Sequence, residues 1–190
     1  LGIDVVHLGL STTPTVEMAV VFEGADGGII LTASHNPKEW NALKLLNEKG
    51  EFVSGEEGKT ILALAEQEDF IYAPVDEMGV IIGDDNSLSK HIQAILDHPL
   101  VDIYSIKKAN FKVVVDAINS SGAFTVPALL KAIGVEDVVV LNAEMTGDFA
   151  HNPEPLKEHL TELCTTVVNE KAQLGIAVDP DVDRLCFVSE

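Results

Sequence analysis

Residues 175–184 read Gly175-Ile176-Ala177-Val178-Asp179-Pro180-Asp181-Val182-Asp183-Arg184. Four small or apolar residues followed at once by aspartates at alternating positions describe a buried strand that empties into a tight acidic loop, with Pro180 stiffening the turn between the first two acids. At the carboxyl end of a strand in an open α/β sheet, where ligands collect, such a loop is a candidate site rather than a surface accident. Asp179, Asp181 and Asp183 repel one another unless a cation sits among them. Oxygen-only donors suit a hard divalent ion, and Mg²⁺ would complete its near-octahedral shell with water or a phosphate oxygen. An EF-hand also opens with alternating acids, and Glu190 would fall at its twelfth position. However, Arg184 stands where that loop needs Gly, and a strand precedes it where a helix should be. The bland alternative is a solvated acidic turn.

Outward from this loop, strand-like apolar runs alternate with helix-period segments, the pattern of an α/β fold with a parallel or mixed sheet. Strands are expected at 3–8, 28–32, 42–46, 112–115, 138–141 and 175–178. Helices are expected at 15–22, where Pro14 favours the start, and at 54–68, 87–96, 123–133 and about 156–163. The segment 69–85 mixes Pro74, Gly79, Gly83 and acids, which places a junction near its end. The expectation is two consecutive α/β domains with mixed sheets sandwiched by helices, residues 1–85 and 86–190. The polar stretch 142–155 is long for a loop inside a domain, and such loops are often functional. No internal repeat is strong enough to use.

Composition narrows the function. Twelve Lys+Arg against 31 Asp+Glu give a formal net charge of −19. A chain so acidic, with no basic stripe, repels a nucleic-acid backbone. No run approaches the ~18 apolar residues of a membrane span, so no membrane partner is expected. Cys164 and Cys186 stand far apart in apolar or Thr-rich surroundings, which suits buried free thiols in a reducing compartment and hence a cytoplasmic location. Leu1 enters a strand without an initiating Met and Glu190 closes within an apolar run, so the chain reads as part of a longer polypeptide.

A second dense cluster is Thr32-Ala33-Ser34-His35-Asn36-Pro37. An apolar strand delivers Ser34 to a tight polar loop. His35 is too near in sequence to be assumed its base, because adjacent side chains usually diverge. By itself the segment is as well read as an Asn-Pro turn with a capping serine. Ten residues on, Lys44 lies among Ala42, Leu43, Leu45 and Leu46, where a lysine either snorkels to solvent or has a lowered pKa suited to proton transfer.

Together, the Thr-Ala-Ser-His-Asn-Pro and Asp-Pro-Asp-Val-Asp-Arg segments, in this order and separation, resemble the α-D-phosphohexomutase superfamily of phosphoglucomutase, phosphomannomutase and phosphoglucosamine mutase. The resemblance covers essentially the whole chain, as the family's domains I and II without the start of domain I and without domains III and IV. It implies that Ser34 is the phosphoserine and that Asp179, Asp181 and Asp183 bind Mg²⁺ together with a phosphoserine oxygen. It implies a catalytic acid/base or transition-state role for Lys44 and His35, and for Arg184 a contact to the phosphoryl group or a neighbouring carboxylate. The implied activity is a Mg²⁺-dependent phosphomutase of the isomerase class, exchanging the phosphate of a hexose phosphate between C1 and C6 through a 1,6-bisphosphate.

Weaker echoes are the Thr12-Thr13-Pro14 turn, with Thr13 supporting the active loop, the strand-then-Gly turn 116–122, and His151-Asn152-Pro153-Glu154-Pro155. Ala42 departs from the family's usual Gly, and Pro180 from its commoner Asp-Gly-Asp, the latter pointing weakly toward phosphoglucosamine or phosphomannose substrates. The Asp179-x-Asp181 pair also resembles haloacid dehalogenase-type phosphatases, with Asp179 as nucleophile, although Asp183 stands where their pattern has Thr or Val. A non-catalytic module that retained the fold is the third reading.

Overall fold

The computed structural model describes residues 1–36 and 39–189, so Pro37 of the serine loop and Glu190 lie outside the described residues. The first half runs β1 (Val5–His7), α1 (Thr13–Glu23), β2 (Gly28–Leu31), β3 (Leu43–Leu46), α2 (Gly55–Gln67) and β4 (Ile81–Gly83). Thr12 caps α1, its hydroxyl accepting from the Thr15 amide with Pro14 in the first turn, so the helix opens two residues before the expected start. Ser54 and Glu57 form a reciprocal capping box on α2, the arrangement their three-residue spacing favours. Strands β1 and β4 pair in parallel, and β2 and β3 pair antiparallel.

The second half runs α3 (Ser87–Leu96), α4 (Ile103–Ala109), β5 (Lys112–Asp116), α5 (Gly122–Ala132), β6 (Asp137–Leu141), α6 (Thr161–Glu170), β7 (Leu174–Val178) and β8 (Leu185–Val188). Its sheet has the order β6-β5-β7-β8, with β6, β5 and β7 parallel and β8 antiparallel to β7. Alternate residues of β5 enter opposite cores, as the two-residue period of a strand requires. Val113 and Val115 join Leu130, Val135, Ile176 and Val178 on one face, while Val114 joins Leu160, Leu163, Val167, Ala172 and Ala177 on the other. Burial on both faces explains why these strands read as unbroken apolar runs. Gly122 lets α5 close onto β7, since a Cβ there would stand 2.7 Å from Val178 Cγ2.

Several elements differ from the sequence expectation. The helix expected at about 156–163 is a 3₁₀ turn at Lys157–His159 followed by α6 at Thr161–Glu170. The β-branched run Thr165-Thr166-Val167-Val168 reads poorly as helix, but Leu160, Leu163 and Val167 fall on one helical face and are fully buried, and that burial overrides propensity. The short α4 was not anticipated, although Asp102 caps it by accepting from the Ser105 amide. Strand β4 lies inside the segment expected to hold the junction, and β8 forms where the sequence shows only an apolar run. Cys164 and Cys186 are free thiols, half-buried rather than buried. No helix among the described residues is long and apolar enough to cross a membrane.

The two halves share a topological device that no sequence repeat reveals. In each, a strand ends in a loop that returns as an antiparallel partner. Residues 32–42 join β2 to β3 and residues 179–184 join β7 to β8. Those two loops carry the serine cluster and the aspartate cluster.

Gly50, at φ 74°, fixes the turn after β3 against α1, because a Cβ at this position would lie 2.2 Å from the Glu17 carbonyl oxygen. Backbone cannot yield as a side-chain tip does. Gly50→Ala is therefore expected to cost more than about 2 kcal/mol, strain and clash together. Urea unfolding checks this, and a midpoint equal to that of the unaltered chain would refute it.

Candidate functional site

The strand ends converge so that each functional side chain arrives from a different element. The Ser34 backbone is left-handed, at φ 51°, and its amide donates to Thr32 Oγ1 at 2.9 Å. A non-glycine residue in this region carries strain, which clusters at functional loops. The turn brings His35 Nδ1 to 3.2 Å from Ser34 Oγ, so these neighbours do not diverge as adjacent side chains usually do. Ser34 Oγ donates to Asp179 Oδ2 at 2.9 Å across the gap between the two loops. Val182, β-branched and at φ 62°, is the matching strained residue of the acidic loop.

Asp179 organises that loop. Its Oδ1 accepts from the amides of Asp183 and Arg184 at 3.1 and 3.0 Å, and its side chain is fully buried. The hydroxyls of Ser120 and Ser121 both donate to the Pro180 carbonyl, at 2.7 and 2.9 Å, and hold the turn from the side of α5. From α1, the Thr13 amide donates to the Asp181 carbonyl at 2.9 Å and its hydroxyl to Asp181 Oδ2 at 2.8 Å. Thr13 thus holds the acidic loop at Asp181.

Lys44, on β3, places its ammonium 2.6 Å from Asp181 Oδ2 and 2.5 Å from Asp183 Oδ2. Partial burial draws its pKa down, yet the hydrogen bonds to these two carboxylates outweigh it and the pKa ends above the usual lysine range. Lys44 neither snorkels away nor becomes an easily deprotonated base. It is a held cation, with the Phe52 ring 5.7 Å from Nζ. Burial pushes the Asp179 carboxyl up to about 6, with the Asp181 charge adding to the effect. Burial acts in the same direction on Asp181, but the Lys44 and Thr13 hydrogen bonds prevail and its pKa falls. Glu17 on α1 is raised by burial and then by the Asp183 charge. Neither Phe52 nor Glu17 stood out in the sequence, because nothing local marks a residue that turns toward a distant acid cluster.

Arg184 Nη1 donates to Glu154 Oε1 at 3.0 Å, pinning the loop 142–155 to the acidic loop. Of the contacts expected for it, the structure shows the one to a carboxylate. A cleft of about 350 Å³ opens beside Ser34, walled by Leu10, Trp40, Phe149, Pro180 and Asp181.

The triad fits a metal ion. One oxygen from each of Asp179, Asp181 and Asp183 lies within 4.8 Å of the others, and the donors are all carboxylates, the set preferred by a hard divalent cation. Asp181 Oδ1 is buried and has no hydrogen-bond partner among the described residues. A buried carboxylate oxygen left unpaired is costly, and a cation would satisfy it.

The family model for phosphoglucomutase/phosphomannomutase, alpha/beta/alpha domain I, matches residues 1–72, and the one for domain II matches residues 89–190. The chain belongs to the phosphoglucomutase/phosphomannomutase family. It is 39% identical to a phosphoglucomutase/phosphomannomutase of Thermococcus kodakarensis over 190 residues, covering 100% of this chain and 41% of that protein. It is 34% identical to a phosphoglucosamine/phosphogalactosamine mutase of Sulfurisphaera tokodaii, covering 99% and 41%. Among solved structures, a phosphoglucomutase/phosphomannomutase family protein of Burkholderia thailandensis superposes with a TM-score of 0.81 at 27% identity, over 98% of this chain and 40% of that one. An Aspergillus fumigatus N-acetylphosphoglucosamine mutase, solved in complex with GlcNAc-6P and magnesium, shares the fold at 14% identity and a TM-score of 0.50, over 93% and 46%. The chain spans about two fifths of the length of the curated relatives it matches.

With its pKa raised, Asp179 binds its proton more tightly folded than unfolded, so metal-free stability is lost as pH rises from about 4 through about 6. In EDTA at neutral pH, Asp179→Asn should therefore unfold at higher temperature than the unaltered chain, by the equivalent of about 1–3 kcal/mol. At acid pH that advantage should vanish. Calorimetry at both pH values checks this, and an Asn variant less stable at neutral pH would overturn it.

Proposed function

We propose that the chain is the phosphoryl-carrying part of a Mg²⁺-dependent phosphohexomutase of the isomerase class, with Ser34 the residue that is phosphorylated. The observation that carries the proposal is the 2.9 Å hydrogen bond from Ser34 Oγ to Asp179, which sets a strained, half-buried serine directly against the carboxylate triad. Asp179, Asp181 and Asp183 would hold Mg²⁺ together with an oxygen of the phosphorylated serine. The ion would neutralise charge on the phosphoryl group during transfer.

In the proposed reaction the phosphoryl group passes from Ser34 to a hydroxyl of a hexose monophosphate, whose proton goes to a base, and the other phosphoryl group of the resulting 1,6-bisphosphate returns to Ser34. His35 Nδ1, at 3.2 Å from Ser34 Oγ, is placed to give a proton to the departing serine oxygen and take it back. Lys44 is held charged beside the triad and would stabilise the negative charge that spreads over the transferring group. Arg184 acts by fixing the wall of the cleft through Glu154.

The names of the relatives support glucosamine, mannose or glucose phosphates as the substrate class. The length those relatives have beyond this match supports the reading that further domains complete the sugar site and that this chain alone is inactive. The junction is placed at residues 85–86, supported by β4, which still pairs with β1 as far as Gly83. The location proposed is cytoplasmic. In the haloacid dehalogenase reading Asp179 would attack phosphate, but both its oxygens are already occupied by Ser34 and two backbone amides.

Intact-mass measurement after exposure of the full-length protein to a hexose 1,6-bisphosphate and Mg²⁺ tests the assignment. One phosphoryl group is expected on the unaltered protein and none on Ser34→Ala, whereas a phosphoaspartate that survives in the variant would refute it. Separately, Mg²⁺ should raise the melting temperature by binding the folded state. Asp181→Asn should shrink that rise, and an unchanged rise would remove Asp181 from the ligand set.

A further inference from the structure

Outside the site, one charged cluster is built with unusual care. Asp116, the last residue of β5, is 1% exposed. Its Oδ1 accepts from Asn142 Nδ2 at 2.9 Å and from the Ile118 amide at 3.2 Å, and its Oδ2 lies 2.8 Å from His151 Nε2. A buried carboxylate of this kind needs a counter-charge. The other ring nitrogen of His151, Nδ1, lies 2.8 Å from the Asn152 carbonyl oxygen. Both ring nitrogens therefore face atoms that can only accept. A neutral imidazole has one N–H and would leave one of these contacts without a proton, whereas an imidazolium satisfies both.

The pair sits at the far end of the loop 142–155, which contains no helix or strand. Other contacts dock the loop mostly through Asn119 and Asp116, with the Asn119 amide donating to the Asn142 carbonyl at 2.7 Å and His159 Nδ1 lying 2.8 Å from the Glu154 carbonyl oxygen. Asn142 binds Asp116, the Gly147 amide donates to the Asn119 carbonyl at 3.0 Å, and the Ala150 amide donates to Asn119 Oδ1 at 3.1 Å. Between those tethers the loop places Gly147 and Phe149 on the wall of the cleft that holds Ser34. Just beyond His151, Glu154 grips Arg184. The ion pair thus anchors the end of the loop that, through Glu154, also braces the acidic loop, and the residues just before it line the cleft.

We infer that His151 is a positioning residue, and that its imidazolium on Asp116 is a proton-dependent latch which docks the 142–155 loop and so sets the Phe149 wall of the Ser34 cleft. The docking itself follows from the loop geometry, and only its consequence for catalysis rests on the phosphohexomutase reading. The charged groups facing His151 are Asp116 from β5 and, more distantly, Glu162 from α6, and both favour the cation. The Asp116 hydrogen bond raises the His151 pKa against the opposing effect of burial. Docking is therefore full below the ordinary histidine value of about 6.5 and is lost as pH rises through the raised value in the docked state. Loss of the proton removes one donor from the ring and leaves either Asp116 Oδ2 or the Asn152 carbonyl without its donor, so the loop loosens while the cores hold.

The test uses the chain itself and needs no turnover. Long-range proton–nitrogen correlation spectra should show both ring nitrogens of His151 protonated at about pH 6. Hydrogen exchange, corrected for its intrinsic pH dependence, should show the Gly147 and Ala150 amides losing protection at about pH 8.5 relative to about pH 6, while β5 and α6 keep theirs. His151→Gln, which retains a single donor toward Asp116, should exchange rapidly in the loop at both pH values. A singly protonated His151 throughout, or equal pH dependence in the unaltered chain and in His151→Gln, would overturn the inference. Failure of the phosphohexomutase assignment would appear instead as an unphosphorylated Ser34 and would leave these readouts unchanged.

Discussion

Three carboxylates held within 4.8 Å of one another on a largely buried loop are the constraint on which the rest of the arrangement turns. At an effective dielectric of about 20, each pair of such charges repels by on the order of 3 kcal/mol, and burial adds the cost of lost hydration. The fold answers in three ways. Backbone amides of Asp183 and Arg184 converge on Asp179, the Asp179 carboxyl is pushed toward protonation, and the Lys44 ammonium is brought from the other half of the chain onto Asp181 and Asp183. One atom, Asp181 Oδ1, is still left without a partner among the described residues, which is where a divalent cation has most to offer.

Because the counter-charge comes from the first half of the chain, the site and the association of the two halves are one physical problem. Lys44 on β3, Thr13 on α1 and Ser34 after β2 all reach across to the acidic loop, while α3 packs against α1 and touches α5. His91 on α3 adds a contact to Thr15 at 3.0 Å. Removing Asp181 or Asp183, which hold Lys44, would therefore loosen the association, and a phosphoryl group on Ser34 would add about −1.5 to −2 charges to a site already short of cations. The strained backbones of Ser34 and Val182 fit the same pattern, since a conformation that costs energy locally persists only where contacts on several sides determine it.

Much of this was legible in order along the chain. Valine-rich runs buried on both faces, the Ser54–Glu57 capping box and the proline in the first turn of α1 are local signals with local causes. Where the reading failed, the decisive energy was not local. Helix α6 forms through Thr165-Thr166-Val167-Val168 because Leu163 and Val167 fill the core beneath β5 and β7. Lys44 offered two readings from its apolar neighbours, and neither describes a lysine whose pKa is set by aspartates 137 and 139 residues away.

The residues of the two loops, their chemical kinds and their order were determined by the sequence alone, because a serine turn after one apolar strand and alternating aspartates after another follow from side-chain type and the two-residue period of strands. The pairing of Ser34 with Asp179, the capture of Lys44 by Asp181 and Asp183, the turning of Arg184 onto Glu154 and the burial of Asp116 beneath His151 were decided only by tertiary structure. The physical reason is range. Hydrogen bonding and charge act over a few ångströms in space, and only the packing of the sheets brings residues far apart in the chain within that distance.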